Sequence, residues 1–248
     1  LTTLRFDVVT LFPQFVETVQ NYGVIARAAD QGLIELVTWN PRDYATDRHQ
    51  TVDDRPYGGG PGMVMKVEPL RTALQAVKQA GPAASVVYLT PEGRRFDNAV
   101  AAELAQRERV ILLCGRYEGV DERLIELEVD EELSIGDYVV SGGELPAMVV
   151  VDAVARQLPG VLGHSDSAVQ DAFSGGVLDC PHYTRPETIE GRAVPEVLLS
   201  GDHGAVARWR RREALGRTWR KRPDLIEKEE LSAEDQALLN SYKAEHGQ

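Results

Sequence analysis

Residues 110–114, Val-Ile-Leu-Leu-Cys, form an uninterrupted apolar run. A strand of that kind is buried on both faces, which is the habit of parallel sheets covered by helices. The first 160 or so residues repeat the theme, with β-rich runs alternating with helical patterns. Residues 4–11, 34–39 and 85–89 read as further strands. Pro13 suits a helix start, with Phe15, Val19 and Tyr22 beginning an apolar stripe. Residues 68–80 read as a helix with Leu70, Leu74 and Val77 at helical spacing. Helices are also expected over 98–106 and 144–158, the last with Pro146 tolerated in its first turn. Such alternation predicts an α/β fold with a parallel sheet.

The pattern fails over 163–176, a polar, small-residue stretch that reads as a linker. Beyond it the chain is expected to be mostly helical and highly charged. The organisation expected is a domain over 1–161, a flexible linker over 162–175 and a small helical domain over 176–248. No apolar stretch is long enough to predict a transmembrane helix. The N-terminal stretch has no basic region and does not read as a signal peptide. Cys114 and Cys180 make no disulfide framework, so a reducing cytoplasm is expected. The net charge is −12, which argues against nucleic acid, but it is unevenly spread. Residues 204–222 hold eight Lys/Arg and one acid, Glu213, a segment of +7 in a chain whose remainder carries −19. A local basic patch on an acidic protein can dock a phosphate backbone.

Three glycine-rich loops stand out: RPYGGGPGM at 55–63, GRYEGVDER at 115–123 and SIGDYVVSGGE at 134–144. Glycine lets a backbone approach a ligand closely, and ligands of open parallel sheets sit where such loops leave the strands. None of the three matches a phosphate cradle, neither G-x-x-x-x-G-K-[ST] nor a helix-opening G-x-G-x-x-G, so a P-loop nucleotidase or dinucleotide fold is unsupported. Cys180 and His182 have no second pair at zinc-site spacing, so no metal ligand set is assigned.

Together with LDCPHYTRP at 178–186, these loops resemble bacterial tRNA (guanine-N1)-methyltransferases, and the resemblance runs over roughly the whole chain from FDVVTLFP at 6–13. It implies a SPOUT domain with a C-terminal trefoil knot, although knots are otherwise nearly absent from proteins. It also implies a homodimer with the active site at the subunit interface. S-adenosyl-L-methionine is implied as methyl donor, held by Tyr88, Leu89, Thr90 and Pro91, by Gly115, Tyr117 and Glu118, and by Ile135, Gly136, Tyr138, Val140, Gly142, Gly143 and Pro146. Thr90 stands where serine is common in the family, and both carry a hydroxyl.

The implied reaction is methylation of N1 of guanosine 37 of tRNA, beside the anticodon. Guanine N1 carries a proton at neutral pH, which a positioned carboxylate can take, and the charge developing near O6 needs a cation or donor. The resemblance gives these roles to Asp171 and Arg156, with Glu118 near the base, the donor or an assisting Mg2+. On the residues alone, Arg156 four positions after Asp152 reads as a surface pair worth ~0.2–0.5 kcal/mol. Asp171 alone reads as a cap or solvated loop acid.

Recognition of tRNA is expected from Tyr57, Gly58, Gly59 and Gly60 and from Asp179, His182 and Arg185. Arg210, Arg211 and Arg212 are expected on phosphates, since arginines interleaved with Trp209 and Trp219 suit RNA. The same segment also reads as a solvated helix face with its tryptophans in a small core. The competing reading of the chain is a non-catalytic RNA-binding protein with a basic C-terminal module.

Overall fold

Side chains alternate from face to face along each strand, and that alternation sets the layers here. The computed structural model describes residues 3–162, 172–173, 175–227 and 231–247. The chain divides into two units, Leu1–Ser165 and Asp166–Gln248. In the first, chain order is β1 (Leu4–Val9), α1 (Pro13–Glu17), α2 (Gly23–Asp30), β2 (Ile34–Trp39), β3 (Asp53–Asp54), β4 (Val64–Met65), α3 (Val67–Gln79), β5 (Val86–Arg95), α4 (Asn98–Leu104), β6 (Arg109–Cys114), α5 (Glu122–Glu128), β7 (Glu131–Ser134) and α6 (Glu144–Ala155). Five strands form one parallel sheet in the order β2-β1-β6-β5-β7. Phe6, Val8, Val87, Leu89, Val110, Leu112 and Cys114 face a core shared with α1, α2, α4 and α6. Their alternates Val9, Val86, Tyr88, Ile111 and Leu113 face the core under α3 and α5. Each fully buried Leu, Ile or Val contributes ~1.5–3 kcal/mol relative to exposure, so both faces need their helices.

Buried charges break the apolar rule in the strands at Asp7 and Arg109. Asp7 of β1 is fully buried and accepts hydrogen bonds from Arg109 Nε at 2.7 Å, Arg5 and Trp39 Nε1. Arg109 also donates to the carbonyls of Val77 and Pro82. Burial alone would raise the Asp7 carboxyl, but the bonds from Arg5, Arg109 and Trp39 together hold it below its ordinary value. The group ties β1 and β6 to the end of α3.

Several expected boundaries shift. The first strand ends at Val9, and Thr10 N–H donates to the Trp39 carbonyl. The helix begun at Pro13 is one short turn; Val16 is its buried residue, while Phe15 and Tyr22 of the expected stripe are exposed. A separate helix, α2, follows. β5 runs past Leu89 to Arg95, and its register against β7 shifts between Leu89 and Arg94, so residues 90–93 bulge out of the pairing. α5 and β7 lie in an acid-rich stretch for which the sequence pattern predicts no element. Apolar positions are few there, and tertiary pairing decides them. The last helix ends at Ala155, with Arg156 as its C-cap.

In the second unit, residues 177–202 contain no α-helix. They contain the hairpin β8 (Thr188–Ile189) and β9 (Arg192–Ala193), turned by Glu190 and Gly191 at positive φ, and a 3-10 turn at Glu196–Leu199. The helices are α7 (His203–Lys221), α8 (Pro223–Ile226) and α9 (Ala233–His246). α7 packs on α9 through Leu215 and Leu239, with Val177 and Cys180 in the same core. The linker expected over 162–175, with Asp171, lies mostly outside the described residues. Among the described residues no helix is long and apolar enough to cross a membrane.

Candidate active site

β6, β5 and β7 are neighbours, so the loops leaving their carboxyl ends converge. They enclose a cavity of about 360 Å3, in the place where open parallel sheets take ligands. Its lining includes Tyr88 and Leu89 of β5, Thr90 and Pro91 from the irregularity that follows them, and Gly115, Tyr117 and Glu118 after β6. Ile135, Gly136, Tyr138, Val140, Gly142, Gly143 and Pro146 complete it from the β7–α6 segment. Every residue that the resemblance assigns to the methyl donor therefore lines this one cavity. Leu89, Ile135, Val140 and Pro146 offer an apolar surface, and the glycine loops offer backbone.

Close backbone approach explains two of the glycines. A Cβ on Gly143 would stand 2.6 Å from the Cys114 Cα, and one on Gly136, whose φ is +148°, 2.6 Å from the Tyr138 ring. Gly143 N–H donates to the Gly115 carbonyl at 2.9 Å, which joins the start of α6 to the end of β6. Beneath them Glu144 is fully buried. It accepts from Thr10 Oγ1 and from Arg116 Nε, both at 2.8 Å. Arg116 also donates to the Ser141 carbonyl and lies over the Phe12 ring at 4.4 Å. This brace joins the β1 end, the β6 loop and the glycine loop. Burial raises the Tyr88 hydroxyl, and it pushes the Cys114 thiol well up, with the Glu144 charge adding to it. Both groups stay protonated at neutral pH; Tyr88 lines the cavity, while Cys114 lies in the core behind it.

Tyr117, at φ 60°, is in the left-handed region that a non-glycine residue seldom adopts; such outliers gather at ligand sites. The Glu118 N–H donates to the Met63 carbonyl, and its carboxylate packs against Gly62, so the 55–63 loop lies on the 115–119 loop. Gly58, Gly59 and Gly60 all have positive φ, and Tyr57 beside them is 99% exposed. Arg156 is half-buried at the end of α6. Asp171 lies outside the described residues.

In the second unit, Asp179 accepts from the Cys180 N–H at 2.7 Å and shares a 2.8 Å hydrogen bond with His182 Nε2. Burial would raise the Asp179 carboxyl, but these bonds hold it below its ordinary value. The donor atoms of Asp179, Cys180 and His182 lie within 4.8 Å of one another and could hold a metal ion, a grouping that Cys–His spacing alone did not reveal. Arg210 is exposed. Arg211 is bidentate on Asp235, with both bonds at 2.8 Å. Arg212 pairs with Glu213 and Glu245 and lies over Tyr242. The expected row of three phosphate contacts thus contains two arginines engaged inside the unit. Trp219 packs on the small core, while Trp209 is half-buried beside Tyr183.

Residues 4–228 match the family model described as tRNA (Guanine-1)-methyltransferase TrmD. The chain belongs to this family. Among curated relatives, a tRNA (guanine-N(1)-)-methyltransferase of Halorhodospira halophila is 64% identical over 98% of this chain and 92% of its own length. One of Pseudomonas syringae pv. tomato is 59% identical, covering 98% and 97%. One of Salmonella newport is 58% identical, covering 97% and 95%. Against that family background, sequence reasoning missed Glu144 and the role of Arg116. The only signal was an acid closing the Gly142-Gly143 pair at a helix start, where an N-terminal dipole favours a carboxylate.

Proposed function

We propose that this chain transfers the methyl group of S-adenosyl-L-methionine to N1 of guanosine 37 of tRNA. The observation that carries the reading is the cavity at the carboxyl ends of β5, β6 and β7, whose lining gathers residues 88–91, the 115–120 loop and the 134–143 loop. Its residues suit the donor. Leu89, Ile135, Val140 and Pro146 would take the adenine, and the backbone of the 115–118 and 135–143 loops would meet the ribose and amino-acid parts of the donor. When bound, the donor supplies an electrophilic methyl on a sulfonium. The chain supplies the rest. Asp171 takes the N1 proton, and the Arg156 guanidinium meets the charge that develops near O6, an electrostatic role of the kind that dominates many active sites. Glu118, in the cavity lining, would meet the base or the donor, or would hold an assisting Mg2+.

The reading extends to a SPOUT domain whose C-terminal part is knotted, ending near residue 161, and to a helical tRNA-binding domain from 176. It places the enzyme in the cytoplasm as a homodimer with the active site at the subunit interface. Supporting a partner surface, Leu145 and Val149 lie one turn apart and exposed on α6, which packs against α1, and Phe12 and Phe15 are exposed at α1. Exposed apolar clusters of this kind mark contact surfaces. The test is to incubate the protein with labelled S-adenosyl-L-methionine and an unmodified tRNA transcript, then map the label. Label on N1 of guanosine 37 is the expected result, and none on tRNA overturns the reading.

A further inference from the structure

The second unit has a cavity of its own, of about 630 Å3, within the ~300–1,000 Å3 range of sites that enclose small organic groups. Its apolar floor is Val194, Leu198 and Leu199 from the segment after β9, with Val206 of α7. Tyr183 forms an aromatic wall and is itself backed by Trp209, with ring centroids 6.2 Å apart and planes at 53°. Tyr183 is 49% exposed, so the ring is held and yet available. Arg185 and Arg210 stand in the lining, both exposed. Neither has a carboxylate partner among the described residues, unlike Arg211 and Arg212. Glu187 and His182 also line the cavity, and His182 is tied to Asp179.

An apolar floor, a backed aromatic ring and two unpaired guanidinium groups call for a flat, weakly polar group that carries an anion. A nucleotide released from its stack has that composition: a base with π-faces and a phosphate. Stacking on an aromatic side chain is how single-stranded bases are held, and arginine serves the phosphate. The Glu187 carboxylate only accepts hydrogen bonds, so it favours a base edge bearing N–H groups over one bearing carbonyls alone.

We infer that this cavity seats one unstacked nucleotide of the tRNA, distinct from the guanosine that is methylated, and so adds a second point of reading to the substrate. The inference rests on the methyltransferase reading above.

The test uses the full-length protein, tRNA transcripts and equilibrium binding at fixed salt. Tyr183→Ala is expected to weaken tRNA binding roughly 5- to 150-fold, the value of one base–aromatic stack. Tyr183→Phe keeps the ring and is expected to bind as wild type does. Leu199→Trp, at a side chain 55% exposed on the cavity wall, fills the space with little demand on the core and is expected to weaken binding too. Thermal unfolding checks that each variant is folded. A series of tRNAs with one abasic nucleotide in the anticodon loop then locates the base. At one position other than 37, the abasic tRNA should bind wild type and Tyr183→Ala alike, because the lost contact is the same. Unchanged affinity of both Tyr183→Ala and Leu199→Trp overturns the inference, as does a loss that stays additive at every position or vanishes only at 37. If wild type methylates the transcript while these results fail, only this inference falls. If it does not methylate any transcript, the reading beneath it falls.

Discussion

Glu144→Gln tests whether the buried brace under the glycine loops holds the donor cavity. The substitution preserves size and removes charge. The new amide oxygen can still accept from Thr10, but its NH2 then faces the Arg116 Nε–H, donor against donor. Removing one partner of a fully buried ion pair costs ~3–5 kcal/mol. Here Glu144 is wholly buried but the Arg116 side chain is 21% exposed and keeps some access to water. The relevant figure is therefore that of a charged hydrogen bond, ~1.5–3 kcal/mol. Thr10→Val removes the neutral bond to the same carboxylate and should cost less, about 1 kcal/mol. The brace also positions the Ser141 carbonyl through Arg116, so donor affinity should fall along with stability in Glu144→Gln. Urea unfolding and calorimetric titration with S-adenosyl-L-methionine measure the two effects. Arg116→Gln made alone and in combination closes a double-mutant cycle, in which the second change should add little to the first. An unchanged unfolding midpoint together with unchanged donor affinity in Glu144→Gln refutes the reasoning.

Gly143→Ala should abolish donor binding, because its Cβ would meet the backbone of Cys114 at 2.6 Å; wild-type affinity by calorimetry contradicts this. Asp171→Asn should lower the methyl-transfer rate ~10²–10⁴-fold, as loss of a general base does, with donor affinity preserved; a variant near the wild-type rate removes Asp171 from the role of base. Arg210→Gln should weaken tRNA binding and flatten its salt dependence by about one counterion, whereas Arg212→Ala should lower the unfolding temperature, since Arg212 is engaged with Glu213, Glu245 and Tyr242. The reverse pattern exchanges the two assignments. The Asp7 carboxyl is held below its ordinary value, so its contribution is fully present above pH ~3.9 and is lost as pH falls through its lower native value. Asp7→Asn should therefore be less stable than wild type at neutral pH, with the gap narrowing in acid; a gap that is constant between pH 7 and pH 2 in unfolding experiments contradicts the ion-pair account.

Local chemistry made much of this protein legible in its sequence. The 34–39 strand and the apolar 110–114 run were readable because burial on a sheet face imposes side-chain type residue by residue. The glycine-rich loops stood out because a crowded backbone, as at Gly143 against Cys114, requires glycine at particular positions, while their assignment to the methyl donor came from the family resemblance. α5 and β7 were not readable, since their acidic residues carry little apolar period and β7 exists by pairing with β5. The tertiary structure alone decided that β6, β5 and β7 are neighbours, so that loops from residues 89, 115 and 135 share one cavity. It alone decided that Glu144 is buried against Thr10, 134 positions away. It also separated Arg210 from Arg211 and Arg212, which look alike in sequence. Their partners Asp235 and Glu245 come from α9, and an ion pair between distant segments leaves no periodic trace in either one.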